Sequence, residues 1–281
     1  FIISYLKERG ILLPDKIKPE SIKKIYNLYY NDILEESSDD IECMFFGLYF
    51  CIKKDYDNMI KYYSISAEKG NFYAMYYIGT HYFIQKNYNA MMKYFLMAIE
   101  KDFDMAMNNL GCYYEMIKDY DNMKKYYLMA IEKGNGISMN NIGGYYEGIE
   151  DYENMKKYYL MGIEKGNKEA MNNLGYYYRK IGDYKNMIKY YLMAIEKGSS
   201  SAMYNLGWYY YNIGDFDNMK KYYDMGIKGD ESDAMYGLGL YYSKIGNIKK
   251  MLKYYNMAIT RGNKYAMSEL FNYFKHNSKN N

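Results

Sequence analysis

Few side chains in this 281-residue chain have the types and spacing that covalent or metal chemistry needs. The two histidines, His81 and His276, stand at no metal-ligand or triad spacing. Cys43, Cys51 and Cys112 form neither a Cys-x-x-Cys pair nor a disulfide framework. No phosphate-binding loop occurs, because the glycines recur where helices end or pack. These residues predict no catalytic centre, no metal and no cofactor. What recurs instead is amide chemistry. Asn109, Asn141, Asn173 and Asn205 share one register, with Asn108, Asn140 and Asn172 beside the first three. An amide carries donors and acceptors together, so it can pair with a peptide bond regardless of the side chain attached.

Those asparagines are placed by a repeat of 32 residues that runs without insertion from 42 to 276. Met59, Met91, Met123, Met155, Met187, Met219 and Met251 mark one register; pairs from Phe46-Gly47 to Leu238-Gly239 mark another. A fixed period of this size indicates stacked units, each burying its apolar face against its neighbours. Within 202–230, Ala202, Met203, Leu206, Tyr209, Tyr210 and Ile213 recur at three- and four-residue spacing, which predicts a first helix, A. Gly214 suits a left-handed helix end. Asp215 suits the N-cap of a second helix, B, with Met219, Tyr222, Tyr223, Gly226 and Ile227 on its buried side.

The glycine in each helix A costs roughly 1 kcal/mol against alanine, so its recurrence predicts close packing. Of 24 methionines, 20 fall in columns headed by Met75, Met91 and Met97, which read as core. Cys43 shares the Met75 column, so a buried free thiol is expected. His81 falls in a column otherwise filled by Tyr113, Tyr145 and Tyr177, which makes it scaffold. In the last helix A, Phe271 replaces the glycine and no helix B follows, as a terminal cap requires.

Positions that vary on this constant scaffold are the candidates for recognition. Two residues after the Leu or Ile of helix A stand Thr80, Cys112, Gly144, Tyr176, Trp208 and Leu240. Three further on stand Phe83, Glu115, Glu147, Arg179, Tyr211 and Ser243. Mixed aromatic and charged side chains suit a partner surface, although drift on a solvated face would give the same variety. For the Asn column the competing role is a hydrogen bond to a neighbouring helix or to water. Packed helices lie about 8–10 Å apart and an extended chain advances about 3.3–3.6 Å per residue, so each Asn could meet every third peptide unit. The lysine column from Lys61 to Lys253 has acids four residues before it at Asp57, Asp121, Glu153 and Asp217 and seven after it at Glu68, Glu100, Glu132, Glu164 and Glu196, and reads as a self-compensated outer face.

With 49% hydrophobic residues and a net charge of +3, the chain is that of a folded protein. That charge is too small to predict nucleic-acid or anionic-membrane binding by field alone. No apolar run of about 18 residues occurs, which predicts no membrane span. Phe1 to Leu6 lack a secretory layout, and the unpaired cysteines fit a reducing, intracellular, cytoplasmic setting. Lysine outnumbers arginine 34 to 3, a skew that points to AT-rich coding DNA, as in some large DNA viruses, protists and low-GC bacteria. Residues 1–41 read as an atypical N-terminal helical cap: a first helix, a loop through Pro14 and Pro19, and a helix over 21–36 in the place of a helix B. Residues 42–276 form the repeat solenoid and 277–281 a polar tail.

Tyr209-Tyr210-Tyr211-Asn212-Ile213-Gly214-Asp215-Phe216-Asp217 resembles the turn of a tetratricopeptide repeat, which has Leu-Gly, then Tyr, then Gly-Asp-Tyr before helix B. Ala194-Ile195-Glu196-Lys197-Gly198, followed by Ala202 and Leu206-Gly207, resembles the junction of Sel-1-like repeats. The unit is shorter than the 34 residues of tetratricopeptide repeats and shorter still than the usual Sel-1-like unit, and the Trp and Pro of the tetratricopeptide pattern are absent; the inter-repeat junction favours the Sel-1-like group. The resemblance implies an all-α superhelix, a right-handed solenoid of about seven stacked antiparallel hairpins with capping helices at its ends. It also implies that helix A lines a concave groove in which an asparagine ladder grips the backbone of a bound peptide.

The expectation is a non-enzymatic interaction scaffold that holds an extended peptide or partner protein. Its contact residues would be Asn109, Asn141, Asn173, Asn205, Tyr176, Trp208, Glu115, Glu147, Arg179 and Tyr211. RNA is the alternative partner, since related hairpin repeats read one base per unit, but Glu115 and Glu147 oppose it. Self-assembly through an end of the stack is a further alternative.

Overall fold

The structure, a computed structural model, describes residues 11, 14, 17–35 and 37–277. Among these residues every regular element is a helix. α1 (Pro19–Asn31) precedes seven A–B pairs. These are α2 (Asp40–Lys53) and α3 (Tyr56–Glu68), α4 (Phe72–Ile84) and α5 (Tyr88–Ile99), α6 (Asp104–Met116) and α7 (Tyr120–Glu132), and α8 (Gly136–Gly148) and α9 (Tyr152–Glu164). They continue with α10 (Lys168–Lys180) and α11 (Tyr184–Glu196), α12 (Ser200–Asn212) and α13 (Phe216–Lys228), and α14 (Ser232–Lys244) and α15 (Ile248–Thr260); α16 (Lys264–Asn277) is last. Two compact units divide the chain, 1–138 and 139–281, and the same hairpin recurs in each. The expected all-α solenoid of helical hairpins is what the chain forms.

Local chemistry fixes the turns. Gly182 and Gly214 take φ of +77° and +80°, the left-handed region that glycine enters without steric cost. The next residue caps helix B. Asp183 accepts from the backbone N–H of Asn186 at 3.1 Å, and Asn186 Nδ2 donates back to the same carboxylate at 2.7 Å. Asp55, Asp119, Asp151 and Asp215 repeat this two-bond cap, accepting twice from the Asn three residues on.

Two tyrosine columns then lock each hairpin. The second tyrosine of helix B lies flat on the glycine of helix A: a Cβ on Gly111 would stand 2.5 Å from Cδ1 of Tyr127, and one on Gly207 2.6 Å from Cδ1 of Tyr223. The first tyrosine stacks on a helix A ring, as in Tyr114–Tyr126 and Tyr178–Tyr190, each with centroids 5.5 Å apart. Lysine completes the layer, with the Lys125 and Lys189 ammonium groups each 5.1 Å from the centroid of the following ring. This corrects the expected lysine–acid compensation. The ring face is fixed beside each lysine, and a cation–π contact of about 0.5–1 kcal/mol exceeds the few tenths of an exposed helical ion pair.

The Met91 column is fully buried, and the Met75 column is buried except at Met203 and Met267. The Met97 column is half-buried at the seam between hairpins, so only two of the three columns are true core. Cys43 is a buried free thiol whose Sγ donates to Ser37 O at 3.3 Å. His81 packs on Tyr56 at 5.2 Å, as Tyr113 does on Tyr88 at 5.1 Å, which is the scaffold role expected of its column.

The N-terminal region departs from expectation. Pro19 begins α1 instead of lying in a loop, because a first-turn residue has no intrahelical use for the N–H that proline lacks. The helix closes at Asn31, with left-handed Asp32 (φ 53°) as its cap, rather than at 36. Glu42, only 4% exposed, ties α1 to α2 by accepting from Ser21 Oγ at 2.8 Å and Lys24 Nζ at 3.0 Å. The first helix expected before Pro14 lies outside the described residues. At the other end α16 continues to Asn277, and Phe271, in the glycine column, is 66% exposed.

Candidate functional site

Within unit 139–281 the helix A face of α8, α10, α12 and α14 gathers most of the expected contact residues. Gly175 starts the construction. Its missing Cβ would stand 2.7 Å from Cδ1 of Tyr191, so the Tyr191 ring crosses α10 and is wholly buried. One turn beyond the glycine, Arg179 lays its guanidinium 4.7 Å from the Tyr176 ring centroid and 4.7 Å from that of Trp208. The two rings nevertheless remain 38% and 39% exposed, and they lie on adjacent A helices, α10 and α12. Lys180 adds a cation 5.8 Å from the Tyr176 centroid and reaches Glu147 Oε1 at 3.7 Å. Tyr211 carries the Lys244 ammonium 5.2 Å from its centroid.

The asparagines join one helix A to the next. Asn205 Nδ2 donates to Asn172 Oδ1 at 2.9 Å, and Asn172 Nδ2 to Asn173 Oδ1 at 3.5 Å. Asn173 Nδ2 then donates to Asn140 Oδ1 at 3.0 Å, and Asn140 Nδ2 to Asn141 Oδ1 at 3.4 Å. The result is one amide chain across α12, α10 and α8. In unit 1–138 Asn108 Nδ2 likewise donates to Asn109 Oδ1 at 3.3 Å, and Asn109 Nδ2 donates to the Tyr76 hydroxyl at 3.2 Å. The competing role of a bond to the neighbouring helix is therefore filled. Each such bond uses one of the two N–H donors of an amide.

Glu115 and Glu147 each accept a hydrogen bond from a buried tyrosine of their own hairpin. The Tyr127 hydroxyl donates to Glu115 Oε2 at 2.7 Å, and the Tyr159 hydroxyl to Glu147 Oε2 at 3.0 Å. Desolvation, then the neighbouring thiol or carboxylate, pushes both hydroxyls well above the usual tyrosine range. Burial also pushes Tyr191 up, to about 12, with Arg179 opposing it. In unit 1–138 the repeat that carries Phe95 in place of this tyrosine leaves a hollow of about 240 Å³, lined by Thr80, Phe83, Phe95, Asn109 and Cys112. Sequence reasoning missed the hollow and the hydroxyl partners. Their signal was there, in Phe95 as the one ring of its column without a hydroxyl, and in the constant separation of twelve residues between Glu115 and Tyr127 and between Glu147 and Tyr159.

The tetratricopeptide repeat family model matches residues 168–196, 200–228 and 232–261. The Sel1 repeat protein from Oxalobacter formigenes is similar in fold, with TM-score 0.62 and 21% identity over 76% of this chain and 98% of that one. Residues 168–261 thus carry tetratricopeptide repeats, and the chain has the helical-repeat fold of the Sel1 repeat protein. A protective antigen of uropathogenic Escherichia coli that displays an SLR fold is also similar, with TM-score 0.55 and 20% identity over 97% of this chain and 67% of that one. Yeast Tom70 superposes with TM-score 0.64 at 14% identity, over 92% of the repeat protein and 58% of Tom70. No curated protein matches the repeat protein.

Repeats of this kind generally serve protein–protein interaction through extended surfaces. Among the described residues no group of three or more His, Cys, Asp or Glu side chains could hold a metal ion. No described helix is long and apolar enough to cross a membrane.

Proposed function

We propose that this repeat protein is a non-enzymatic interaction scaffold that holds an extended segment of a partner protein on its helix A face. The observation that carries this reading is the exposed Tyr176–Arg179–Trp208 cluster. Large rings left in water beside an arginine are the residue types that concentrate binding energy when a partner excludes the solvent. The amide chain supports the same reading, because amides carry donors and acceptors together and suit peptide bonds along the segment. Asn141, Asn173 and Asn205 would serve the segment beside the cluster, with Tyr211 further along. In unit 1–138 Asn109 and the adjacent hollow would accept a small apolar side chain. Glu115 and Glu147 act as supports for Tyr127 and Tyr159, and as carboxylates they oppose a phosphate backbone, which disfavours RNA. The free, exposed Cys51 supports a reducing compartment.

The test is capture of partner proteins on the immobilised chain, repeated with Tyr176→Ala, Trp208→Ala and, as a control on helix B, Leu192→Ala. Loss of the same partners with the first two variants and retention with the third is the expected pattern. Equal capture by all forms would refute the placement.

A further inference from the structure

The hairpin that carries Arg179 lacks a pairing found in two others. In α6–α7 and α8–α9 the second tyrosine of helix B gives its hydroxyl to the glutamate twelve residues before it, Tyr127 to Glu115 and Tyr159 to Glu147. The glycine under each ring, Gly111 or Gly143, makes the approach possible. In α10–α11 the same geometry, over Gly175, carries Tyr191 toward Arg179. A guanidinium has five donors and no acceptor. It cannot take the hydroxyl proton as Glu115 and Glu147 do, and the buried Tyr191 hydroxyl has no hydrogen-bond partner. A buried hydroxyl left unpaired costs the desolvation of that group, so the vacancy has an energetic consequence.

Arg179 is the complementary half of the vacancy. Its guanidinium forms no ion pair among the described residues and is held only by the two ring faces. Stacking leaves the in-plane N–H edge of a guanidinium available to an anion. Glu147, one repeat earlier, is already engaged by Tyr159 and Lys180. Among the described residues Tyr63 is the other buried hydroxyl without a partner, and its column holds Cys51, which brings no cation; that hairpin has half of the arrangement only.

We propose that Arg179 and Tyr191 form a carboxylate subsite, filled by an Asp or Glu side chain of the partner segment. The partner would supply in trans the acceptor that Glu115 and Glu147 supply within their own hairpins. The proposal rests on the reading of the helix A face as the partner surface and names the chemistry of one position on it. A carboxylate fits because the column already accommodates one on the same tyrosine hydroxyl in two hairpins. Its two oxygens suit one guanidinium edge and one hydroxyl. Entry requires a local shift of Tyr176, Trp208 or the guanidinium between them, since the hydroxyl is sealed from solvent.

Panning a phage-displayed random peptide library on the intact chain tests this. The selected peptides should share an Asp or Glu at one register. Arg179→Glu rebuilds the pairing of the other hairpins within the chain. It should keep or raise the Tm while weakening the acidic peptide about tenfold or more. Tyr191→Phe should leave the Tm unchanged or higher and weaken the peptide several-fold. Peptides selected without a shared acidic residue, or an affinity unmoved by Arg179→Glu, would overturn the subsite and leave the partner surface standing. Selection of no peptide at all would overturn both.

Discussion

At Gly175 one absent methyl group decides whether a tyrosine can cross its hairpin. A Cβ there would meet the Tyr191 ring at 2.7 Å, and the obstacle is a buried ring with nowhere to retreat. Gly175→Ala gains about 1 kcal/mol of helix propensity yet overpacks the seam by about 1–3 kcal/mol, so net destabilisation in urea unfolding is expected. A more stable alanine variant would show that the packing account is wrong. Met187, fully buried in the same hairpin, fills rather than contacts a ligand; Met187→Ala should cost about 2–5 kcal/mol by the same measurement. Asn173 donates to Asn140 and accepts from Asn172, so Asn173→Ala removes two links at once. A loss of about 1–3 kcal/mol is expected, and an unchanged thermal transition would mean that the amide chain contributes nothing to stacking. Any binding experiment on the asparagines therefore needs stability measured alongside it.

Acid loosens the tie between α1 and α2. Burial pushes the Glu42 carboxyl up, but hydrogen bonds from Ser37, Ser21 and Lys24 outweigh it and hold the group below the usual carboxylate range. A folded-state pKa below the unfolded one contributes stability that is complete above about pH 4.3 and is lost as the pH falls further, through the folded value. The protection of the Ile25 and Leu28 amides, relative to their intrinsic exchange rates, should thus fall in that acid window, and Glu42→Gln should weaken that pH dependence, leaving the parts due to Asp32 and Asp39. The hairpins themselves were legible in the sequence because caps, glycines and the Met91 column are local consequences of the period. The lysine contacts were not, because the ring face over which Lys189 lies exists only once Tyr190 has stacked on Tyr178 from another helix. The direction of the amide chain was hidden too. Asn172 and Asn173 look equivalent in sequence, and only the placement of α10 between α8 and α12 lets Asn172 accept from one side while Asn173 donates to the other. Pro19 misled because proline reads as a loop signal unless the first turn of a helix is recognised around it.

Over the whole molecule, a fold shared with the Oxalobacter repeat protein at 21% identity shows that hairpin stacking tolerates wide sequence change. That tolerance frees the helix A positions to differ between repeats, and it is there that the ring–arginine cluster stands. The cluster also carries its own reporter, since Trp208 is the one tryptophan of the chain. Its emission, excited selectively while an acidic peptide chosen by panning is titrated in, reads occupancy at the proposed site itself. Binding should give a saturable blue shift as the half-exposed indole is covered, lost in Arg179→Glu at the same peptide concentrations. A peptide that binds by calorimetry while the Trp208 emission stays unchanged would place the partner elsewhere and contradict the account.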